Sequence, residues 1–174
     1  KKIDAGRIED IRECIGCNMC ITGDMTMSIS RCTQNPTFME EWRKGWHPER
    51  MNSKGSSSNV LIVGSGPAGL EAARALSLRG YDVAIAEAKG LIGGRVARER
   101  LLPGLTAWGR VVDYRQYQLS QRPNVETYLE SGLSAEQILE FGFENVAIAT
   151  DSTWRRDGVA RQHVVAMPMD PQMP

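Results

Sequence analysis

Asn59-Val60-Leu61-Ile62-Val63-Gly64-Ser65-Gly66-Pro67-Ala68-Gly69 is the stretch whose reading decides the fold. Four successive apolar residues, three of them β-branched, are too few for a buried helix and too continuous for a half-exposed strand, so they predict a strand buried on both faces. Glycines at 64, 66 and 69 then follow before a helical pattern over Pro67 to Arg79, with Leu70, Ala73 and Leu76 on its inner side and Gly80 ending it. Gly64 permits the tight turn out of the strand. Gly66 lets backbone approach a pyrophosphate at the positive end of the helix, and Gly69 brings helix and strand close together.

Reading outward, Asp82 to Ala86 is a second apolar strand that completes a parallel βαβ unit and delivers Glu87 and Ala88 at its end. A carboxylate there accepts hydrogen bonds from the ribose hydroxyls of an adenosine and repels a 2'-phosphate. A helix over Thr106 to about Ser120 carries Trp108, Val111, Val112 and Leu119 in register, with Trp108 read as core. Ser134-Ala135-Glu136-Gln137 is a capping box opening a short helix that Gly142 closes, and Asn145 to Ala149 reads as a further buried strand. The fold class expected is therefore α/β, a partial doubly wound domain that binds an adenine dinucleotide, over residues 59–174.

Upstream the chain changes character. Asp4 to Glu13 predicts a short helix N-capped by Asp4, and positions 14 to 51 predict loops and turns broken by Gly16, Gly23, Pro36, Gly45 and Pro48. Such a stretch needs an organiser, and Cys14, Cys17, Cys20 and Cys32 supply one. Three thiolates at intervals of three plus a distant fourth can hold the four irons of a cubane cluster, with Gly16 letting main-chain N–H groups reach sulfur and Asn18 and Thr33 adding donors. Structural zinc also takes four thiolates, but its sites come as two separated pairs. Met25 and Met27 are expected to fill gaps over this loop, and His47 reads as a structural histidine. The polar run Asn52 to Ser58 is the expected joint between a cluster-binding segment, residues 1–51, and the α/β domain.

Composition narrows the classes. Lys plus Arg, 21, equals Asp plus Glu, 21, so overall charge gives no reason for a nucleic-acid partner or an anionic membrane surface. No apolar run approaches bilayer-spanning length and the start has no signal-peptide core, so a cytoplasmic location is expected. All four cysteines fall within the first 32 of 174 residues, which suits reduced thiolates for a metal. The first residue is Lys and the last stretch, Met167 to Pro171, closes no element, from which a segment of a longer chain is expected.

Cys14-Ile15-Gly16-Cys17-Asn18-Met19-Cys20, Arg31-Cys32-Thr33-Gln34-Asn35-Pro36, Gly45-Trp46-His47-Pro48-Glu49 and Val60 to Gly69 together resemble the trimethylamine and dimethylamine dehydrogenase family, which includes histamine dehydrogenase and, more distantly, 2,4-dienoyl-CoA reductase. The likeness runs from Lys1 to about Met169. It implies a 4Fe-4S cluster on Cys14, Cys17, Cys20 and Cys32, and an ADP held by Gly64, Ser65, Gly66, Pro67, Ala68, Gly69, Glu87 and Ala88 where related reductases hold FAD. Gly94 and Arg95, in Ile92-Gly93-Gly94-Arg95, stand at a spacing where flavoproteins similar to disulfide reductases bring backbone near the dinucleotide. The resemblance also implies an upstream barrel with covalent FMN and a small-amine pocket, an electron-transferring flavoprotein as acceptor, and a homodimeric parent; no catalytic residue is expected within this chain. Asp151 departs from the family, which places a glycine there, and the two-residue gap between Cys17 and Cys20 favours the amine dehydrogenases. Two other classes stay open: an NADPH-dependent enoyl reductase with FAD in this fold, and a zinc-stapled nucleotide-binding module.

Overall fold

The computed structural model describes residues 2–36, 38–39, 42, 51–150 and 152. Gly45 to Glu49 with His47, Asp151 and the stretch from Met167 lie outside the described residues.

Val60–Val63 forms β1, and its four residues are all buried, as are those of β2, Val83–Ala86. The two pair in parallel, Val60 opposite Val83 and Val63 opposite Ala86. Between them α2, Pro67–Arg79, starts on Gly66 with Pro67 in the first turn, where the missing N–H costs nothing, and stops at Gly80 in the left-handed region at φ 93°. Leu70 and Ala73 of α2 are buried against Val60, Ile62, Val83 and Ile85, with Leu76 half-buried beside them. The opposite face of the sheet is a smaller layer: Leu61, Val63, Ala84 and Ala86 beneath Leu133, Ile138 and Phe143.

Two further parallel strands flank this pair. β3, Val125–Tyr128, joins β2, and β4, Asn145–Ile148, joins β1, giving the order β3-β2-β1-β4. That is the order of a doubly wound nucleotide-binding half. β3 has no apolar run to betray it, since Glu126 and Thr127 occupy its middle, and the sequence reading passed over it. β4 was expected to be buried; instead its residues are mostly exposed, including Val146 and Ile148. Among the described residues β4 is an edge strand beside a thin helical layer, with one face uncovered, which apolarity of the strand alone does not reveal.

Helices α3, Val96–Glu99, and α4, Arg110–Ser120, close the first face. The helix expected from Thr106 is split: Thr106–Gly109 is a 3-10 turn, and α4 begins at Arg110. Val112 and Leu119 of α4 are buried and Trp108 half-buried. The capping box forms as expected, Ser134 Oγ accepting from Gln137 N and Gln137 Oε1 accepting from Ser134 N, at the head of α5, Ala135–Glu140.

The cysteine segment is built differently. The predicted helix capped by Asp4 is only a 3-10 turn over Ile8–Asp10 preceded by Arg7, because Gly6 at φ 66° turns the chain just after the supposed cap. A seven-residue helix, α1, Met19–Met25, stands where loops were expected. Among the described residues 2–36, Gln34 alone is buried. Met25 and Met27, expected to fill gaps, are 78% and 97% exposed.

Candidate functional site: a glycine cradle and a cysteine loop on one helix

The glycine turn is locked by contacts that only glycine allows. At Gly64, φ 104°, a Cβ would lie 2.5 Å from the Ala149 carbonyl oxygen, and at Gly69 it would lie 2.0 Å from that of Gly64. These two positions serve the packing of turn, helix and β4. Gly66 differs: a Cβ there would meet nothing within 4 Å. The middle glycine therefore faces open space at the start of α2, where free N–H groups and the helix dipole favour an anionic group. Pro67 and Ala68 form the first turn beside it.

Ser65 is fully buried and turns its polar atoms on Glu87. Its N–H donates to Glu87 Oε2 at 2.9 Å and its Oγ donates to the same oxygen at 2.6 Å, while Lys89 N donates to Oε1 at 3.0 Å. Burial pushes the Glu87 carboxyl up, but these donors outweigh it and hold the group below its ordinary range. Glu87 is thus ionised and fixed at the end of β2, with acceptor capacity on Oε1 beyond the one bond from Lys89. Ser65 as the residue that orients Glu87 was not legible in the motif, which leaves that position free. Ala88 follows, exposed. Gly93 N donates to Ser65 O at 2.9 Å, tying the second glycine turn to the first, and Gly94 sits at φ 57°. Arg95 pairs through Nε with Glu99 at 2.6 Å, which directs it along α3.

All four cysteines are free thiols, Cys14 and Cys17 exposed, Cys20 and Cys32 half-buried. The loop carrying Cys32 folds back on the first three: Ser30 Oγ donates to Cys20 O at 2.7 Å, and Thr33 Oγ1 lies 3.0 Å from Cys17 Sγ. The Thr33 hydroxyl and the Met19 N–H hold the Cys17 thiol below its usual value, against a small opposing effect of burial. Gly16 N donates to Cys14 Sγ at 3.3 Å and Gln34 N to Cys32 Sγ at 3.4 Å. Sulfur-directed donors at three of four thiols suit a thiolate-bound cluster in the chemistry of the donor set. Among the described residues, no three Cys, His, Asp or Glu side chains stand in metal-ligating geometry.

One helix holds this loop against the α/β domain. From α4, Arg110 donates to Cys14 O at 2.6 Å and pairs with Glu13 at 3.2 Å, Arg115 donates to Gln34 Oε1 at 3.1 Å, and Gln118 donates to Asp10 at 2.7 Å. The Arg12 guanidinium carbon lies over the ring of Tyr114 on the same helix, 5.1 Å from the ring centroid. Sequence reading assigned α4 an apolar face and missed this polar one, because contacts separated by 81 to 108 positions leave no local signature.

A family model described as an NAD(P)-binding Rossmann-like domain matches residues 62–131. Dimethylamine dehydrogenase from Hyphomicrobium sp. (strain x) is 46% identical over 165 residues, 91% of this chain and 22% of that protein. The structure of histamine dehydrogenase from Rhizobium sp. 4-9 aligns with 99% of the chain at 81% identity and TM-score 0.89, and that of 6-hydroxypseudooxynicotine amine oxidase from Pseudomonas geniculata N1 with 96% at 53% identity and TM-score 0.88. The 2-naphthoyl-CoA reductase structure follows at 31% identity and TM-score 0.80. The chain spans about a quarter of the length of each solved relative, 24% to 25%. Across nearly its whole length, in sequence and in fold, the chain is similar to the corresponding quarter of dimethylamine dehydrogenase and histamine dehydrogenase.

Proposed function

We propose that this chain is the cluster-and-nucleotide segment of an amine dehydrogenase, with residues 1–51 serving the cluster, 52–58 the joint and 59–174 the nucleotide. Cys14, Cys17, Cys20 and Cys32 would hold a 4Fe-4S cluster, which when bound supplies a one-electron relay between an FMN elsewhere in the enzyme and an electron-transferring flavoprotein. The residues of this chain do the holding. Thr33, Gly16 and Gln34 direct donors at the thiols, and α4 fixes the loop that carries them. Gly64, Gly66 and Gly69 shape the cradle for the diphosphate of an ADP, and Glu87 takes the adenosine ribose, with Ser65 holding its carboxylate in place.

The observation that carries this reading is the pairing of a cysteine loop bearing sulfur-directed donors with an open glycine cradle and a fixed, ionised acid, in a chain 81% identical to histamine dehydrogenase over 99% of its length. Among the described residues none forms a base–nucleophile pair, and in this reading amine oxidation belongs to another part of the enzyme, where FMN and a small amine meet. A cytoplasmic homodimer goes with this reading; among the described residues no helix is long and apolar enough to cross a membrane.

Iron, acid-labile sulfide and nucleotide analysis of the purified full-length protein tests it. Four irons, four sulfides and one ADP per chain are expected of a single cubane cluster and one cradle, each to within about 10–20%. Zinc without sulfide would overturn the cluster. The 31% identity to 2-naphthoyl-CoA reductase and the NAD(P)-binding family match support a second reading, a reductase with FAD in the cradle. Rapid bleaching of bound flavin by NADPH would select it, and an amine dehydrogenase would ignore NADPH.

A further inference from the structure

Gln34 is pinned in four directions. Its N–H points at Cys32 Sγ, its carbonyl accepts from Arg12 Nη1 at 3.1 Å, its Nε2 donates to Glu13 O at 3.5 Å, and its Oε1 accepts from Arg115 Nη1. The partners lie 21, 22 and 81 positions away, so the loop's position is set from outside. A buried glutamine is costly unless each polar atom is satisfied, and an apolar side chain would serve packing more cheaply.

Arg115 is costlier still. It is 6% exposed, and burial pulls its guanidinium toward the neutral form. Glu71 of α2 offsets this: Arg115 Nε lies 2.8 Å from Glu71 Oε2, and Arg74 Nη2 lies 2.6 Å from Oε1. Arg12 acts on both Glu71 and Arg115. Three guanidinium groups act on this one carboxylate beside the loop that bears Cys32. Stability alone does not call for such an arrangement, since buried ion networks are weak stabilisers. It does fix the Arg115 guanidinium where it meets Gln34.

We propose that Arg115 is a positioning residue for the cluster: by gripping Gln34 from α4, with Glu71 as its counter-ion, it keeps the Gln34 N–H directed at Cys32 Sγ and holds the cluster's reduction potential up. A donor to a ligating sulfur stabilises the reduced, more negative cluster more than the oxidised one. Releasing Gln34 weakens that bias. The inference rests on Cys32 being a cluster ligand.

The test is a dithionite redox titration of the full-length holoenzyme, followed by EPR, for wild type, Arg115→Gln and Gln34→Ala, with iron content measured on each. Gln34→Ala keeps the backbone N–H and the guanidinium charge but removes the grip. Both variants are expected to lose at least about threefold in the reduction equilibrium, ~30 mV lower for a one-electron couple at 59 mV per decade, with iron content unchanged. An unshifted potential in Gln34→Ala overturns the positioning route, even if Arg115→Gln shifts through charge alone. Where Arg115→Gln fails to retain iron, Gln34→Ala decides by itself. Wild-type protein without an EPR-active cluster defeats the underlying ligand assignment, a result distinct from an unshifted potential.

Discussion

The glycine cradle and the cysteine loop are two answers to the same problem of holding an irregular stretch of backbone in place. The cradle is carried by apolar burial: β1 and β2 are buried throughout, and Leu70 and Ala73 seat α2 on them. The loop buries one described residue, and it a glutamine, while Ile21, Met25, Met27 and Ile29 stand exposed. Polar ties to α4 and the proposed cluster do for the loop what the core does for the cradle. A segment organised by ligands and long-range hydrogen bonds will respond to loss of one tie, where a packed βαβ unit responds to volume.

The largest effect is expected in the cradle. Gly69→Ala forces a Cβ to within 2.0 Å of the Gly64 carbonyl oxygen, and overpacking against backbone at a helix–strand contact should cost about 3 kcal/mol or more, read as a fall in Tm together with loss of ADP. Gly66→Ala sharpens the contrast, because its new methyl meets nothing in the protein. Stability should stay within about 0.5 kcal/mol, while ADP affinity falls roughly tenfold or more in calorimetry. Equal losses of stability in the two variants would mean that Gly66 is a packing glycine and the cradle is not a phosphate site.

Next in size is the strut between the regions. Glu71→Gln removes the carboxylate shared by Arg74 and Arg115, and should cost roughly 2–3 kcal/mol, less than for a fully buried pair because the side chain is 32% exposed. Burial pushes the Glu71 carboxyl up, but the three arginines outweigh it and hold its folded pKa below the ordinary glutamate range. The unfolded chain therefore binds the proton more readily. The stabilisation from Glu71 is complete above the unfolded value and fades as pH falls through the lower, folded one. Denaturant midpoints measured from pH 6 to pH 3, a range of about three units around the carboxylate values, should show a shallower acid limb in the variant.

The smallest effect falls on the acid of the cradle. Glu87→Gln keeps the shape and can still accept from Ser65 but turns its NH2 on the Lys89 N–H, so stability should fall by about 1 kcal/mol, while a ribose loses a charged acceptor and ADP binds about tenfold more weakly by titration calorimetry. A larger loss of Tm than of affinity would make Glu87 a structural partner of Ser65 only.

The two regions were unequally legible in the sequence for the same physical reason. Local rules fix the cradle: an apolar run, three glycines and Pro67 dictate strand, turn and helix within twenty residues, and the Ser134–Gln137 capping box is as local. Where the outcome depended on neighbours, the reading failed or was silent. β3 is polar because its exposed edge does not demand otherwise, β4 is exposed despite its apolar sequence, and the helix expected from Asp4 breaks at Gly6. The cysteine spacing suggested the cluster proposed above, yet the contacts of Arg110, Arg115 and Gln34 that tie the loop to α4 emerge only when that helix is laid against it.

The account stands most directly on the identity of what the four thiols hold. Low-temperature EPR of the dithionite-reduced full-length protein, with Cys32→Ser as control, is the measurement. A signal of about one spin per chain that vanishes in the variant, while ADP stays bound, is the predicted result for a single four-iron cluster. A silent spectrum from protein that carries zinc, or a signal that survives Cys32→Ser unchanged, would contradict it.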